Sequence, residues 1–253
     1  MQRGPQKAEG LLRRDLRLSV VYDNHASKPE AKPAWGFACV IEGAEDTILF
    51  DTGGSAPALL ANMSSVGVAP GDIDAIVVSH AHADHTGGLE ALLQSHPDVD
   101  VFVPASLPDT LKRSVDRLGA RRVVVGEPQT IRKGVYSTGE FGRTIQEQSL
   151  VLATDGGLVL ITGCAHPGVV ETMKRVRALH DGELLLVMGG FHLLETSRRA
   201  VERIIASFKQ LGVRYVGPCH CVSDSVRALF AEHYGDGYIE VGAGSVITGA
   251  DLA

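Results

Sequence analysis

Hydrophobic positions in the first half of the chain form short runs typical of strands, separated by segments with helical spacing. The run IDAIVVSH at 73–80 is unbroken, as expected for a strand buried on both faces of a sheet. Turn residues bound the other runs. The pattern predicts strands at 16–24, 35–43, 46–54, 73–80 and 99–107, and helices at 56–67, 86–96 and 108–119.

The second half begins with short strands and then repeats a strand–helix rhythm. The pattern predicts strands at 122–127, 134–141 and 148–154, then strands at 157–163, 183–190, 214–220 and 238–247 that alternate with helices at 168–180, 197–212 and 223–235. This alternation indicates an α/β chain. No low-complexity linker interrupts residues 18–253, so we predict a single domain at 16–253 behind a flexible N-terminal tail at 1–15.

Composition and charge exclude several classes of function. The 253 residues carry a net charge of −6, so the chain has no overall basic field to attract nucleic acid or anionic lipid. No apolar stretch approaches the ~18 residues of a membrane span, and the basic start lacks the apolar region of a secretory signal. Four cysteines are sparse for a disulfide scaffold. We therefore expect a cytoplasmic protein that binds a small molecule, with neither nucleic acid nor membrane as a partner.

Four of the apolar strands end in loops that carry histidine. Their sequences are VVSHAHADH, LITGCAHPG, LLVMGGFHL and YVGPCHC. In open α/β folds, sites collect at the carboxyl ends of the strands, so ligands that are far apart in sequence can converge in space. The sequence therefore predicts one site built from four separate segments.

The first of these loops has the spacing of a metal site. His80 and His82 lie two residues apart and point to the same face if the strand continues, while Asp84 and His85 follow where the chain turns toward a helix. Imidazole and carboxylate ligands suit zinc, iron or manganese. A polar loop without metal is the alternative interpretation. Four candidate ligands in six positions directly after a buried strand favour the metal.

The motifs FDTGG at 50–54 and SHAHADHTGG at 79–88 resemble the metallo-β-lactamase superfamily and its HxHxDH signature. The resemblance spans about residues 16–250. It implies a four-layer αββα sandwich of the α/β (α+β) class, with one or two metal ions at the edge between the sheets. It assigns His80 and His82 to the first metal and Asp84 and His85 to the second. Asp51 matches an early family aspartate, which we expect to hydrogen-bond around the site.

The later part of the chain departs from the usual pattern of that family. Cys164 stands where a bridging aspartate is expected, and it is either a thiolate ligand or a small buried thiol. The resemblance makes His166 the third ligand of the first metal and His220 a ligand of the second. His192 fits a ligand, a supporting or a substrate-binding role equally well. The cysteines on either side of His220 are predicted to be packing residues.

These features predict a metal-dependent hydrolase that uses a metal-bound hydroxide on a phosphodiester or another phosphorylated small molecule. The cofactor is one or two divalent ions, zinc first, with iron or manganese as alternatives. Asp84 is the predicted catalytic residue because it can orient the attacking water and accept its proton. Asn24 is predicted to line the pocket.

Two alternatives stay open. The motifs GCAHPG, GGFHL and PCHC resemble the branch similar to dihydropterin-ribofuranosylaminobenzene phosphate synthase, which implies condensation instead of hydrolysis. Trp35 or Phe191 would then stack on a flat pterin. The other alternative is a metal-loaded binding or regulatory protein without catalysis, against which the intact HxHxDH motif argues.

Overall fold

Two β-sheets stack face to face, and helices cover the outer face of each. The computed structural model describes residues 10–253. The strands are β1 (Arg17–Tyr22), β2 (Ala38–Glu42), β3 (Ile48–Phe50), β4 (Ala75–Val77), β5 (Asp100–Pro104), β6 (Arg121–Val125), β7 (Gln129–Arg132), β8 (Val135–Ser137), β9 (Leu150–Thr154), β10 (Gly157–Thr162), β11 (Leu184–Gly190), β12 (Tyr215–Cys219) and β13 (Val246–Thr248). The helices are α1 (Ala56–Ser65), α2 (Ala83–Thr86), α3 (Leu89–Ser95), α4 (Asp109–Arg117), α5 (Val169–Leu179), α6 (Arg198–Gln210) and α7 (Asp224–Tyr234).

The order of the strands places several carboxyl ends at the same edge. The first sheet runs β13-β1-β2-β3-β4-β5-β6, and β3 to β6 are parallel neighbours. The second runs β12-β11-β10-β9-β8-β7, and β10, β11 and β12 are parallel neighbours. The loops that follow these parallel strands therefore emerge at the same edge of each sheet, the edge at the carboxyl ends of the strands.

Alternating side chains along the strands build the layers. On β10, Val159 and Ile161 belong to the core between the sheets, whereas Leu158 and Leu160 pack against the helices of the second sheet. On the first sheet, residues such as Val40 and Leu49 pack against α1, α3 and α4 in the same way. Because both faces of each sheet are covered, the central strands are apolar throughout. The predicted four-layer αββα architecture is confirmed.

The N-terminal segment differs from its prediction as a flexible tail. The Leu11 side chain is buried, and its backbone N–H donates to Ala153 O at 2.7 Å. Arg13 N–H donates to the Asp155 carboxylate at 2.7 Å and begins a short 3₁₀ turn. An apolar side chain and these hydrogen bonds hold residues 10–15 against the β9–β10 hairpin. Residues 1–9 of the predicted tail lie outside the described part of the chain.

Three elements of the structure differ from the prediction. The closing strand predicted at 238–247 is reduced to β13, because Gly242 and Gly244 carry the chain closely past the β1 loop. The helix predicted at 86–96 is preceded by the separate turn α2. Strand β7 was not predicted, since it is only four residues long and Ile131 is its one apolar residue. No helix within residues 10–253 has both the length and the apolar character needed to cross a membrane.

Candidate metal centre

The candidate site lies at the carboxyl ends of strands from both sheets. Loops after β1, β3 and β4 reach it from the first sheet, and loops after β10, β11 and β12 reach it from the second. Within residues 10–253, four residues other than glycine have left-handed backbone conformations, and all four lie in these loops: Asp51, Ala165, His192 and His220. Such conformations are costly for side chains with a Cβ, and they concentrate at functional sites.

The first candidate ligand group is His80, His82 and His166. The nitrogen atoms that they offer lie within 4.8 Å of one another. His80 Nε2 is 3.0 Å from His82 Nδ1, and His166 Nε2 is 3.3 Å from the same nitrogen. His80 is fully buried, His166 is half-buried and His82 is exposed. The group therefore opens to solvent on the His82 side.

The second candidate group is Asp84, His85 and His220. His85 Nε2 lies 3.3 Å from His220 Nε2, and Asp84 Oδ2 lies 3.3 Å from the same His220 nitrogen. Both histidines are buried, while the aspartate side chain is 20% exposed and faces the opening. Cys164 Sγ lies 3.2 Å from His85 Nε2, so a thiol occupies the space between this group and His80.

Asp51 belongs to neither ligand group but hydrogen-bonds to residues of both, on the side of the histidine rings away from the candidate ligand atoms. Its carboxylate accepts the Ser79 N–H, the Ser79 hydroxyl and the His85 Nδ1–H, each at 2.7 Å. Because the Ser79 hydroxyl donates to Asp51, it accepts from His80 Nδ1–H at 2.9 Å. The aspartate thus fixes two histidine rings, directly and through one serine, as expected for a residue that orients metal ligands.

These hydrogen bonds determine which histidine nitrogens carry protons. His80, His85 and His220 each direct Nδ1 to an oxygen acceptor, the last to Asn24 Oδ1 at 3.2 Å. A neutral imidazole that donates from Nδ1 has a lone pair on Nε2. His85 and His220 therefore direct Nε2 toward each other at 3.3 Å, where a shared proton or a cation must lie between them. Asp84 Oδ2 lies 3.3 Å from His220 Nε2, so these three donor atoms fit a divalent metal ion.

The electrostatic environment keeps two histidines of the first group, His80 and His166, neutral. Burial, followed by the neighbouring imidazoles, lowers the pKa of His80 far below its usual value. The same causes lower the pKa of His166 to about 4. Both imidazoles are therefore unprotonated at neutral pH, which is the form that binds metals.

Two buried carboxylates that position the site were not predicted. Glu147 Oε1 accepts the N–H groups of Cys164 and Ala165 at 2.9 Å, and Oε2 accepts the His166 N–H at 2.8 Å. Asp23 similarly accepts the His220 N–H at 2.8 Å. Burial raises the pKa of both carboxyl groups. Glu147 stands in a polar segment before β9 without any motif, so its sequence context gave no signal.

Replacing Glu147 by glutamine is expected to destabilise the protein by about 1–3 kcal/mol, because the amide presents N–H groups where the loop needs acceptors. The loop that carries His166 then loses its anchor, and metal affinity should fall by ~10–100-fold. Urea unfolding and metal titration measure the two effects. The exposed Glu183→Gln variant is the matched control. Wild-type affinity in Glu147→Gln would show that the loop does not need this carboxylate.

The predicted substrate-binding residues occupy three different environments. Asn24 does not present its amide to the pocket, because its Nδ2 donates to His220 O at 2.9 Å and its Oδ1 accepts from Gly36 N–H at 3.1 Å. Phe191 does not line the pocket either, because its ring is buried in the core against Phe208 with a centroid separation of 5.4 Å. Both residues are structural because their contacts lie inside the protein.

The other predicted aromatic residue does border the site. Trp35 is 53% exposed, and its ring lies edge-on to the His220 ring at a centroid separation of 5.1 Å. On the opposite side of the site, the centroids of the His192 and His166 rings are 4.4 Å apart, and His192 is exposed. A cavity of about 690 Å³ begins there, lined by Phe141, Gly142, Arg143, Thr144, Ile145, His166, Pro167, Glu171 and His192.

Comparisons with known proteins agree with this geometry. The 7,8-dihydropterin-6-methyl-4-(beta-D-ribofuranosyl)-aminobenzene-5'-phosphate synthase of Methanocaldococcus jannaschii is 28% identical over an alignment of 267 positions that covers 85% of this chain and 91% of the synthase. Tm1679, a metal-dependent hydrolase of the beta-lactamase superfamily, superimposes with a TM-score of 0.76 at 26% identity, over 92% of this chain and 98% of its own. A diphosphatase of the PhnP family superimposes with a TM-score of 0.57 at 12% identity, over 92% and 97%, which is a likeness of fold alone.

The sequence profile of the metallo-beta-lactamase superfamily matches residues 36–220. That segment contains the HxHxDH motif and every residue of the two candidate ligand groups. The family resemblance and the fold that it implied are therefore confirmed: the chain belongs to the metallo-beta-lactamase superfamily.

Proposed function

We propose that the chain is a divalent-metal-dependent hydrolase that acts on a phosphodiester or another phosphorylated small molecule. The observation that carries the proposal is the pair of three-residue groups in each of which the candidate ligand atoms lie within 4.8 Å of one another. One group is His80, His82 and His166, and the other is Asp84, His85 and His220. Zinc is the proposed ion because its ligands are nitrogen and carboxylate oxygen, and two ions are proposed because there are two groups.

The protein's own residues supply positioning and proton transfer. Divalent ions lower the pKa of water and neutralise the charge of a bound phosphate. Asp84 combines a carboxylate beside the second group with a side chain that is open to solvent. The close approach of His220 and the charge interaction with His85 outweigh burial and keep the pKa of Asp84 well below its usual value. Asp84 is therefore ionised at neutral pH and can orient a water molecule and accept its proton.

The surroundings of the site favour a small anionic substrate. Both apolar and polar residues line the cavity beside His166 and His192, among them the carboxylate of Glu171 and the exposed guanidinium of Arg143. Such a cation suits a phosphate oxygen. The net charge of −6 disfavours a long nucleic acid. Trp35 offers an exposed ring on the other side of the site.

Removal of metal is expected to abolish hydrolysis of an artificial phosphodiester. Protein purified without an affinity tag should contain about two divalent ions per chain by mass spectrometry, as the two ligand groups predict. A chelator should eliminate turnover, and added zinc should restore it. The His233→Ala variant, which removes an exposed histidine on α7, should match the wild type. Turnover that persists in metal-free protein would contradict the proposal.

A second candidate is a condensing activity like that of the synthase from Methanocaldococcus jannaschii. The relationship covers most of both chains, and the exposed Trp35 ring beside His220 can stack on a flat pterin. Incubation with a pterin and a ribosyl-aminobenzene phosphate, followed by mass spectrometry, separates the two candidates. A condensed product with no phosphodiester hydrolysis would favour the synthase. Bound metal with neither reaction would indicate a binding or regulatory protein.

A further inference from the structure

A third cluster of potential metal ligands lies beside the two groups. It consists of Cys164, His192 and Cys221, whose sulfur and nitrogen atoms lie within 4.8 Å of one another. The two thiols are each only 3% exposed, and the imidazole is exposed. We propose that this cluster is a separate site for a thiophilic divalent ion. The proposal does not depend on hydrolysis.

The topology of the second sheet creates the cluster. β10, β11 and β12 are neighbouring parallel strands, and each contributes the second residue beyond its end: Cys164, His192 and Cys221. The carboxyl ends of neighbouring parallel strands lie side by side at one edge of the sheet, so the three side chains come from adjacent loops. The cluster is thus a repeated feature of three strand ends and not an isolated cysteine.

Close packing of the loops brings the thiols together. A Cβ at Gly190 would lie 2.3 Å from Gly163 O and 2.8 Å from Cys221 Sγ, so only glycine allows this approach. Cys221 Sγ accepts the backbone N–H of His192 at 3.2 Å and lies 3.7 Å from Cys164 O. The loops are therefore packed in a way that directs both sulfurs toward the same imidazole.

The chemistry of the cluster favours a metal over packing. Two thiolates and one imidazole form a ligand set for zinc that leaves a fourth position open, and soft thiolates prefer thiophilic ions. Cys219 provides the contrast, because its side chain lies in the apolar core between the sheets. Sequence analysis predicted packing roles for Cys219 and Cys221, and the surroundings of Cys221 differ from that prediction. Cys164 is the one residue that the cluster shares with a histidine group, through its 3.2 Å approach to His85.

Cadmium titration of the full chain tests the proposal, because cadmium–thiolate bonds absorb in the ultraviolet. The wild type should show a band with the intensity of two thiolates per chain. Cys221→Ser should lose about half of that intensity, since one thiolate ligand remains. His192→Ala should keep the intensity at saturation but weaken binding by at least ~10-fold.

Cys39→Ala and Cys219→Ala are the matched controls, because both thiols are buried away from the cluster. Each should retain the full band, and circular dichroism should show that every variant is folded. A wild-type band of one thiolate or none, or an unchanged band in Cys221→Ser, would overturn the proposal. Phosphodiester hydrolysis is measured on the same samples, so failure of the proposed function would be seen separately.

Discussion

Replacement of Asp84 by asparagine is expected to reduce kcat on a phosphodiester by ~10²–10⁴-fold, the range for loss of a positioned general base. Asparagine has nearly the same shape but cannot accept a proton. Asp84 is the second residue of α2, and its Oδ2 lies 3.3 Å from His220 Nε2 and 3.7 Å from His85 Nε2. It is the one carboxylate among the six proposed ligands, so no neighbouring ligand can replace its charge.

The measurement compares kcat, KM and metal content per chain in the variant and the wild type. Asp109→Asn, which changes an exposed aspartate at the start of α4, is the control and should leave all three unchanged. Unfolding by urea should be similar in both variants, because Asp84 is partly solvent-exposed. Full turnover in Asp84→Asn at wild-type metal content would exclude this residue as the base.

The sequence was sufficient to predict which segments form the site. Apolar strands that end in histidine-bearing loops identified four segments. Parallel pairing brings the loops after β10, β11 and β12 to one edge of the second sheet, and the stacking of the two sheets places the loop after β4 beside them. The groups predicted for two metals, with His166 in one and His220 in the other, are also the groups that lie close together. Their role as ligands stays a prediction until a metal is measured.

The directions of the side chains were less predictable, because they depend on backbone conformations outside regular strands. Cys221 was predicted to be a packing residue, since in an extended chain it would point to the face opposite His220, but His220 has a φ of 53°. The left-handed residue interrupts the alternation of faces, and Cys221 turns toward Cys164 instead. Similarly, β4 ends at Val77, so His80 and His82 converge through the loop and not through the period of a strand.

The roles of buried residues also depend on tertiary contacts. Phe191 follows a strand in a histidine-bearing segment, yet its ring packs with Phe208 and Phe230 because an apolar ring gains more free energy in the core than at the pocket. Glu147 is recognisable as a positioning residue only after the chain folds, since its three N–H partners lie 17 to 19 residues further along.

Replacement of Asp51 by asparagine is expected to impair both stability and metal binding. Asp51 is fully buried and has a φ of 59°, a conformation that asparagine also tolerates, so the variant changes charge and hydrogen bonding without adding backbone strain. In one orientation the asparagine amide would point its N–H groups at the Ser79 N–H, and in the other at the His85 Nδ1–H, so a donor faces a donor in both. The free energy of unfolding of the metal-free protein should therefore fall by about 1–3 kcal/mol.

Metal makes the loss larger, because Asp51 also fixes the His85 ring and, through Ser79, the His80 ring. A ~10–100-fold weaker metal affinity adds about 1–3 kcal/mol to the difference between variant and wild type at saturating metal. Urea unfolding with chelator and with zinc separates the two contributions. Asp74→Asn, an exposed aspartate that accepts one backbone N–H, is the control. An equal loss of unfolding free energy with chelator and with zinc would mean that Asp51 supports the fold but does not orient the ligands. A larger loss with zinc would connect this buried carboxylate directly to the metal centre.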